Sequence, residues 1–105
     1  MNKPPPTSRR SPTKPAYDLP DFKSGRLVIA KSALLGAAAM GMAKADIKQA
    51  LGALRPAHFF KCMASEQRPG TMMDVYHLPH SRTTVYVKFS REPNGVYVLT
   101  SFKEK

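Results

Sequence analysis

Four side chains toward the end of the chain, Tyr86, Lys88, Tyr97 and Lys103, stand in two alternating runs, "TTVYVKFS" and "VYVLTSFK", around a Pro93-Asn94-Gly95 turn. Alternation around such a turn predicts a β-hairpin, in which successive side chains point to opposite faces. The first run sets Val85, Val87 and Phe89 against Thr84, Tyr86 and Lys88. The second sets Val96, Val98, Thr100 and Phe102 against Tyr97, Leu99, Ser101 and Lys103. A slip of one residue would turn a whole hydrophobic set into water, so the register is constrained. Placing Val85 opposite Phe102 and Val87 opposite Thr100 joins the apolar sets. It gathers Tyr86, Lys88 and Lys103 on the open face, with Tyr97 further along. Ammonium groups collected in this way can hold a polyanion, and they can equally keep an exposed sheet soluble and block edge pairing.

The rest of the composition leans toward the polyanion. The 105 residues carry 17 Lys and Arg against 7 Asp and Glu, a formal charge of +10 that favours nucleic acid, an anionic membrane surface or an acidic protein. The length suits one small domain. The longest apolar run, Ala33 to Ala43, is interrupted by glycines and far short of the roughly 20 residues of a membrane span. The basic start is not followed by an apolar stretch, so no secretory signal is read and a cytoplasmic location is expected. A single cysteine, Cys62, excludes an internal disulfide and a zinc site of ordinary Cys and His spacing, leaving a packing thiol.

The elements that must position the open face follow from periodicity. Residues 1–16, "MNKPPPTSRRSPTKPA", combine five prolines and four basic residues with almost nothing apolar, which predicts a disordered basic tail. A single domain is expected over 17–105. "YDLPDFKSG" predicts a short helical turn ended by Gly25, and "RLVIA" a brief strand. "KSALLGAAAMGM" predicts a helix with Leu34, Leu35, Ala38 and Met42 on its apolar side, Ser32 as cap and Gly41 as stop. "KADIKQALGAL" predicts a second, antiparallel to the first, with Asp46 near its positive end. From Phe59 the pattern alternates through "KCMASEQ", "TMMDVYHL" and the final hairpin, joined by turn-rich links. The result is an α+β domain with helices on one face of a small antiparallel sheet.

Several blocks also resemble a known family in order and spacing. "KSALLGAAAMGM", "FFKCM" at Phe59 to Met63, "DVY" at Asp74 to Tyr76, "VYVKF" and "TSFKEK" are similar to the MqsR toxins of bacterial toxin-antitoxin pairs. The resemblance covers about residues 17 to 105 and implies a RelE-like fold. It further implies a metal-independent endoribonuclease, without cofactor, that cuts single-stranded messenger RNA at short sequences often containing GC. It also implies a cognate antitoxin protein as partner. A messenger RNA substrate brings the ribosome into range as a further partner. Residue by residue, the functional lysine of the family's "FYKSM" block falls on Lys61, the tyrosine of "VYLK" on Tyr86, and the lysine of "SFKEK" on Lys103. The family's "WQDVY" reads "MMDVY" here, so Met73 replaces a functional glutamine, and His77 stands where an arginine commonly follows.

RNA cleavage without a metal uses the 2′-hydroxyl as nucleophile on the adjacent phosphate. The protein must move two protons and neutralise charge on phosphorus, largely by positioning and electrostatics. In that scheme Lys61 and Lys103 stabilise the phosphorane and either can exchange a proton. Tyr86 orients the 2′-hydroxyl or shuttles a proton, and Lys88 holds a flanking phosphate. His77 and Tyr97 complete the RNA contacts, the latter by base stacking. His58 and His80 are read as surface histidines without a catalytic role. Because methionine cannot hydrogen-bond as an amide does, the alternative is a noncatalytic relative that binds RNA or antitoxin.

Overall fold

A computed structural model describes residues 14–105, so the first thirteen residues of the expected basic tail lie outside the described residues. Five strands form one sheet: β1 (Leu27–Ile29), β2 (Phe59–Ala64), β3 (Met72–His80), β4 (Thr83–Arg91) and β5 (Tyr97–Glu104), in the order β1-β5-β4-β3-β2. With three helices among the described residues, α1 (Leu19–Ser24), α2 (Lys31–Ala39) and α3 (Lys44–Leu51), the domain is α+β and compatible with a RelE-like fold. β2 to β5 are the expected antiparallel meander. β1 makes the sheet mixed, because it runs parallel to β5 with Leu27 beside Tyr97 and Ile29 beside Leu99. A parallel neighbour is reached by a long crossover instead of a tight turn, so no local sequence signal marks the pairing.

α1 and α3 start where a side chain satisfies a free backbone amide at the helix end. The Asp18 carboxylate accepts the N–H of Asp21 at 3.1 Å, and that of Asp46 accepts the N–H of Ala43 at 2.7 Å. α1 buries Leu19 and Phe22, whose ring stacks on Phe89 at 3.7 Å between centroids. Burying one such ring contributes about 1.5–3 kcal/mol. α3 buries Ile47, Ala50 and Leu51. Both helices join Tyr76, Leu78, Val85, Val87, Leu99 and Phe102 in the core on the covered face of the sheet.

α2 departs from its expected orientation. Ala33 and Ala37 are fully buried, whereas Leu34 is exposed and Leu35 is 61% exposed. The reason is close approach to β5. Ser32 Oγ, expected as a helix cap, instead donates to the Thr100 carbonyl at 2.6 Å. A Cβ added at Gly36 would lie 2.4 Å from the Phe102 carbonyl oxygen and 2.9 Å from Lys103 Cβ. Only small residues fit that contact, so the leucines face outward. α2 packs chiefly on β5 and only lightly on α3, in place of the expected helix pair. It thereby covers the β5 edge beyond the end of the short β1, where bare backbone groups would otherwise invite foreign pairing.

The hairpin register differs from expectation by two residues, with Val87 opposite Phe102 and Tyr86 opposite Lys103. A shift of two leaves both faces as expected. Further along, however, Lys88 lies opposite Ser101 while Phe89 lies opposite Leu99, which makes Thr100 the extra residue of a bulge. Its hydroxyl donates to the Lys88 carbonyl at 3.1 Å. Beyond the bulge the alternation of β5 is inverted, and Leu99 and Tyr97 turn into the core. The expected exposure of Tyr97 is therefore corrected: the ring is 2% exposed and stands edge-on to Phe22 at 5.3 Å. Its hydroxyl donates to the Asp21 carboxylate.

Ordered contacts begin ahead of Tyr17. The buried Asp74 carboxylate accepts the N–H groups of Ala16 at 2.8 Å and Tyr17 at 2.9 Å, and the Tyr17 hydroxyl donates to the Met72 carbonyl at 2.6 Å. Burial pushes the Asp74 pKa upward, while these backbone donors and a Cys62 hydrogen bond pull it back. Asp74 thus anchors the start of the described chain, and it points away from the lysines of the open face.

Candidate functional site

Directly opposed residues of antiparallel strands share a face, so the register alone fixes what stands on the uncovered side. His77 of β3 lies opposite Tyr86 of β4, and Tyr86 opposite Lys103 of β5. At the β2 end a bulge between Phe59 and Lys61 releases Phe60 from regular pairing. The Phe60 ring stacks on the His77 imidazole, 4.1 Å between centroids and 22° between planes. Phe60, His77, Tyr86 and Lys103 therefore form one row across four strands. The His77 and Tyr86 rings are 6.1 Å apart, and Lys103 Nζ stands 5.5 Å from the Tyr86 ring centroid.

A second row lies one pleat along. Lys61 of β2 and Lys88 of β4 both lie opposite Val75 of β3, and Lys88 lies opposite Ser101 of β5. Two strand spacings separate the lysine backbones, about 10 Å. Val75 is completely buried although it belongs to the uncovered face. The two cations flank it, and Lys61 Nζ reaches to 5.6 Å from the Phe60 ring centroid. Beyond this row the face hollows into an open groove of about 860 Å³. Met63, Met73, Val96 and Val98 supply its apolar lining, with Lys88 at the boundary. An ion pair between Arg68 and Glu92 frames the far side.

Of the residues singled out by sequence, Lys61, His77, Tyr86, Lys88 and Lys103 share this face. Tyr97 does not, because the Thr100 bulge turns it into the core. His58 belongs to a 3-10 turn, Pro56–His58, where its Nδ1 accepts the N–H of Arg55 at 3.0 Å. Burial and the Arg55 charge lower its pKa. His80 pairs with Thr83 beside the β3–β4 turn, at the end of the sheet. In the sequence Phe60 is marked only as part of the "FFKCM" block. What gives it a place in the row is the β2 bulge, for which the sequence offers no signal.

The electrostatics of the face are cationic. His77 responds to this: partial burial lowers its pKa first, and the charges of Lys105 and Lys61 lower it further. An imidazole in these surroundings favours its neutral form, which can accept a proton or a hydrogen bond. Tyr86 and Lys103 add a hydroxyl and an ammonium group beside it, and Lys61 and Lys88 a second pair of donors. Such a set can bind a phosphodiester, place a hydroxyl against it and exchange protons.

Among the described residues, no helix is long and apolar enough to cross a membrane. A family profile described as "Motility quorum-sensing regulator, toxin of MqsA" matches residues 14–104. A comparison with curated proteins returns no match.

Proposed function

The chain belongs to the MqsR family of toxins, which act within toxin-antitoxin pairs, and from that premise we propose that it is a metal-independent endoribonuclease that cuts single-stranded messenger RNA. The observation that carries this reading is the row of His77, Tyr86 and Lys103 beside Lys61 and Lys88 on a face that none of the described helices covers. Lys61, Tyr86 and Lys103 are the catalytic set. A phosphodiester laid across them has its non-bridging oxygens held by the two ammonium groups, where charge increases as the 2′-oxygen attacks. The Tyr86 hydroxyl orients the attacking 2′-hydroxyl. Lys88 takes a flanking phosphate, and His77 completes the contacts to the scissile nucleotide.

The family description supplies a protein partner, an antitoxin; on the present reading that partner keeps the nuclease silent, and the nuclease acts in the cytoplasm on translated messages within reach of ribosomes. Met73, in the place of a functional glutamine, favours the noncatalytic alternative, because it contributes only apolar surface to the groove. The two readings separate in one experiment. A mixed-sequence messenger RNA is incubated in EDTA with the wild-type protein or Lys103→Ala, and the new ends are mapped. Cleavage that leaves 5′-hydroxyl ends, with at least about 100-fold loss in the variant, is expected. The variant's unfolding free energy should stay within about 0.5 kcal/mol of wild type. A folded wild type that binds RNA without cutting it would leave the binding-module reading in place of this one.

A further inference from the structure

We propose that His77 is the general base that takes the proton of the attacking 2′-hydroxyl, a role that rests on the ribonuclease reading above and deepens it. Four observations of geometry carry it. The ring lies in the middle of the row, between Phe60 on β2 and Tyr86 on β4. Stacking on Phe60 at 4.1 Å fixes the plane of the imidazole, so its nitrogens are aimed by packing. Among the described residues no side chain hydrogen-bonds the imidazole, which leaves its nitrogens open to a substrate. Finally, the charged groups that face it are all cationic. Lys61 approaches from β2, Lys103 from β5 opposite Tyr86, and Lys105 from just beyond β5. Partial burial, and then the charges of Lys105 and Lys61, lower the imidazole pKa, which keeps the proton-accepting form populated at neutral pH.

The step balances as follows. The 2′-hydroxyl proton passes to the His77 imidazole as the bond from 2′-oxygen to phosphorus forms. The bond from phosphorus to the 5′-oxygen breaks, and the departing oxygen takes a proton from the Lys103 ammonium group. The products are a 2′,3′-cyclic phosphate and a 5′-hydroxyl. Solvent then removes the proton from His77 and restores that of Lys103, so no net proton is consumed. This division leaves Lys61 to hold the phosphoryl oxygens and Tyr86 to orient the nucleophile.

The test is the pH dependence of kcat between about pH 5 and pH 9, on an RNA oligonucleotide with one cut site in EDTA. Wild type should gain rate with rising pH along a limb whose midpoint lies below the ordinary histidine value. His77→Gln keeps a polar side chain without titrating near neutrality. It should lose about 10²- to 10⁴-fold in kcat and the acidic limb with it. His77→Gly should recover part of the rate when free imidazole is added, in proportion to the neutral imidazole present. A purely structural role for the ring would give neither the lost limb nor the rescue. Retention of the limb by a folded His77→Gln, or a wild-type profile without it, would overturn the assignment while leaving the nuclease reading intact. A wild type that cuts at no pH would remove the nuclease reading itself, and the base with it.

Discussion

The two faces of the sheet are built from the same strands, often from adjacent residues, yet one is organised by volume and the other by charge. On the covered face Phe89 is fully buried among Phe22, Tyr76 and Tyr97, with centroid separations of 3.7 to 6.0 Å. On the uncovered face Lys88, its immediate neighbour in sequence, stands with Lys61 beside Val75. A side chain removed from the first face leaves a cavity that the surroundings cannot fill. A charged side chain removed from the second leaves solvent. The two should therefore fail differently, the covered face in folding and the open face in function.

The most disruptive way to break this division is to insert one alanine between Val98 and Leu99. With the pairing of Leu99 kept, Tyr97 and Val98 must then exchange faces. Emptying the place of Tyr97 in the core and breaking its bond to Asp21 should cost about 4–6 kcal/mol, comparable to the whole stability of many small domains. An insertion protein with an unchanged melting temperature would refute this placement of Tyr97, whereas deletion of Thr100 restores simple alternation and should leave both faces as they are. Next in size is Phe89→Ala, expected to lower unfolding free energy by about 3–5 kcal/mol in urea titrations. RNA cleavage per folded molecule should barely change, in contrast to Lys103→Ala. Gly36→Ala should blur the distinction, because the added methyl meets both the Phe102 carbonyl and Lys103 Cβ. A loss of about 1–3 kcal/mol is expected together with a measurable fall in cleavage.

The smallest effect is a slope. Burial pushes the Tyr76 and Tyr97 hydroxyls up to about 12 from an ordinary 10.0, for Tyr97 with help from Asp21. The folded state thus holds these protons more tightly than the unfolded chain. The stability they contribute is complete below about pH 10 and is lost as pH climbs from about 10 toward about 12. Tyr97→Phe should flatten that decline in alkaline denaturation curves. An unchanged slope would mean that the Tyr97 hydroxyl is not titrating within the core.

Much of this arrangement was legible because alternation is a property of neighbouring residues. The sharing of one face by Tyr86, Lys88 and Lys103 follows from "TTVYVKFS" and "TSFKEK" even though the assumed register was two residues off. Lys61 was legible only through family resemblance, since its strand has weak alternation. What stayed hidden depends on contacts between distant segments. Leu34 and Leu35 look like a helix's buried stripe until β5 approaches so closely that only Ala33, Gly36 and Ala37 fit. Tyr97 looks exposed until one extra residue inverts the strand. Asp74, a carboxylate among strand residues, shows no sign in sequence that it binds backbone amides 57 and 58 residues earlier.

The parallel pairing of β1 with β5 also bears on the order in which a growing chain can finish its fold. Leu27 leaves the ribosome early but has no strand to join until Tyr97 follows, and contacts so distant in sequence form late. α2 waits for the same strand, since its close contact is with Phe102 and Lys103. Lys61, His77 and Tyr86 are all translated before Lys103. A nascent chain at that stage holds most of the row without the strand that supplies its last cation. Completion of β5 is then the step that brings stability and the proposed activity into being together, so unfinished chains would be harmless to the messages around them.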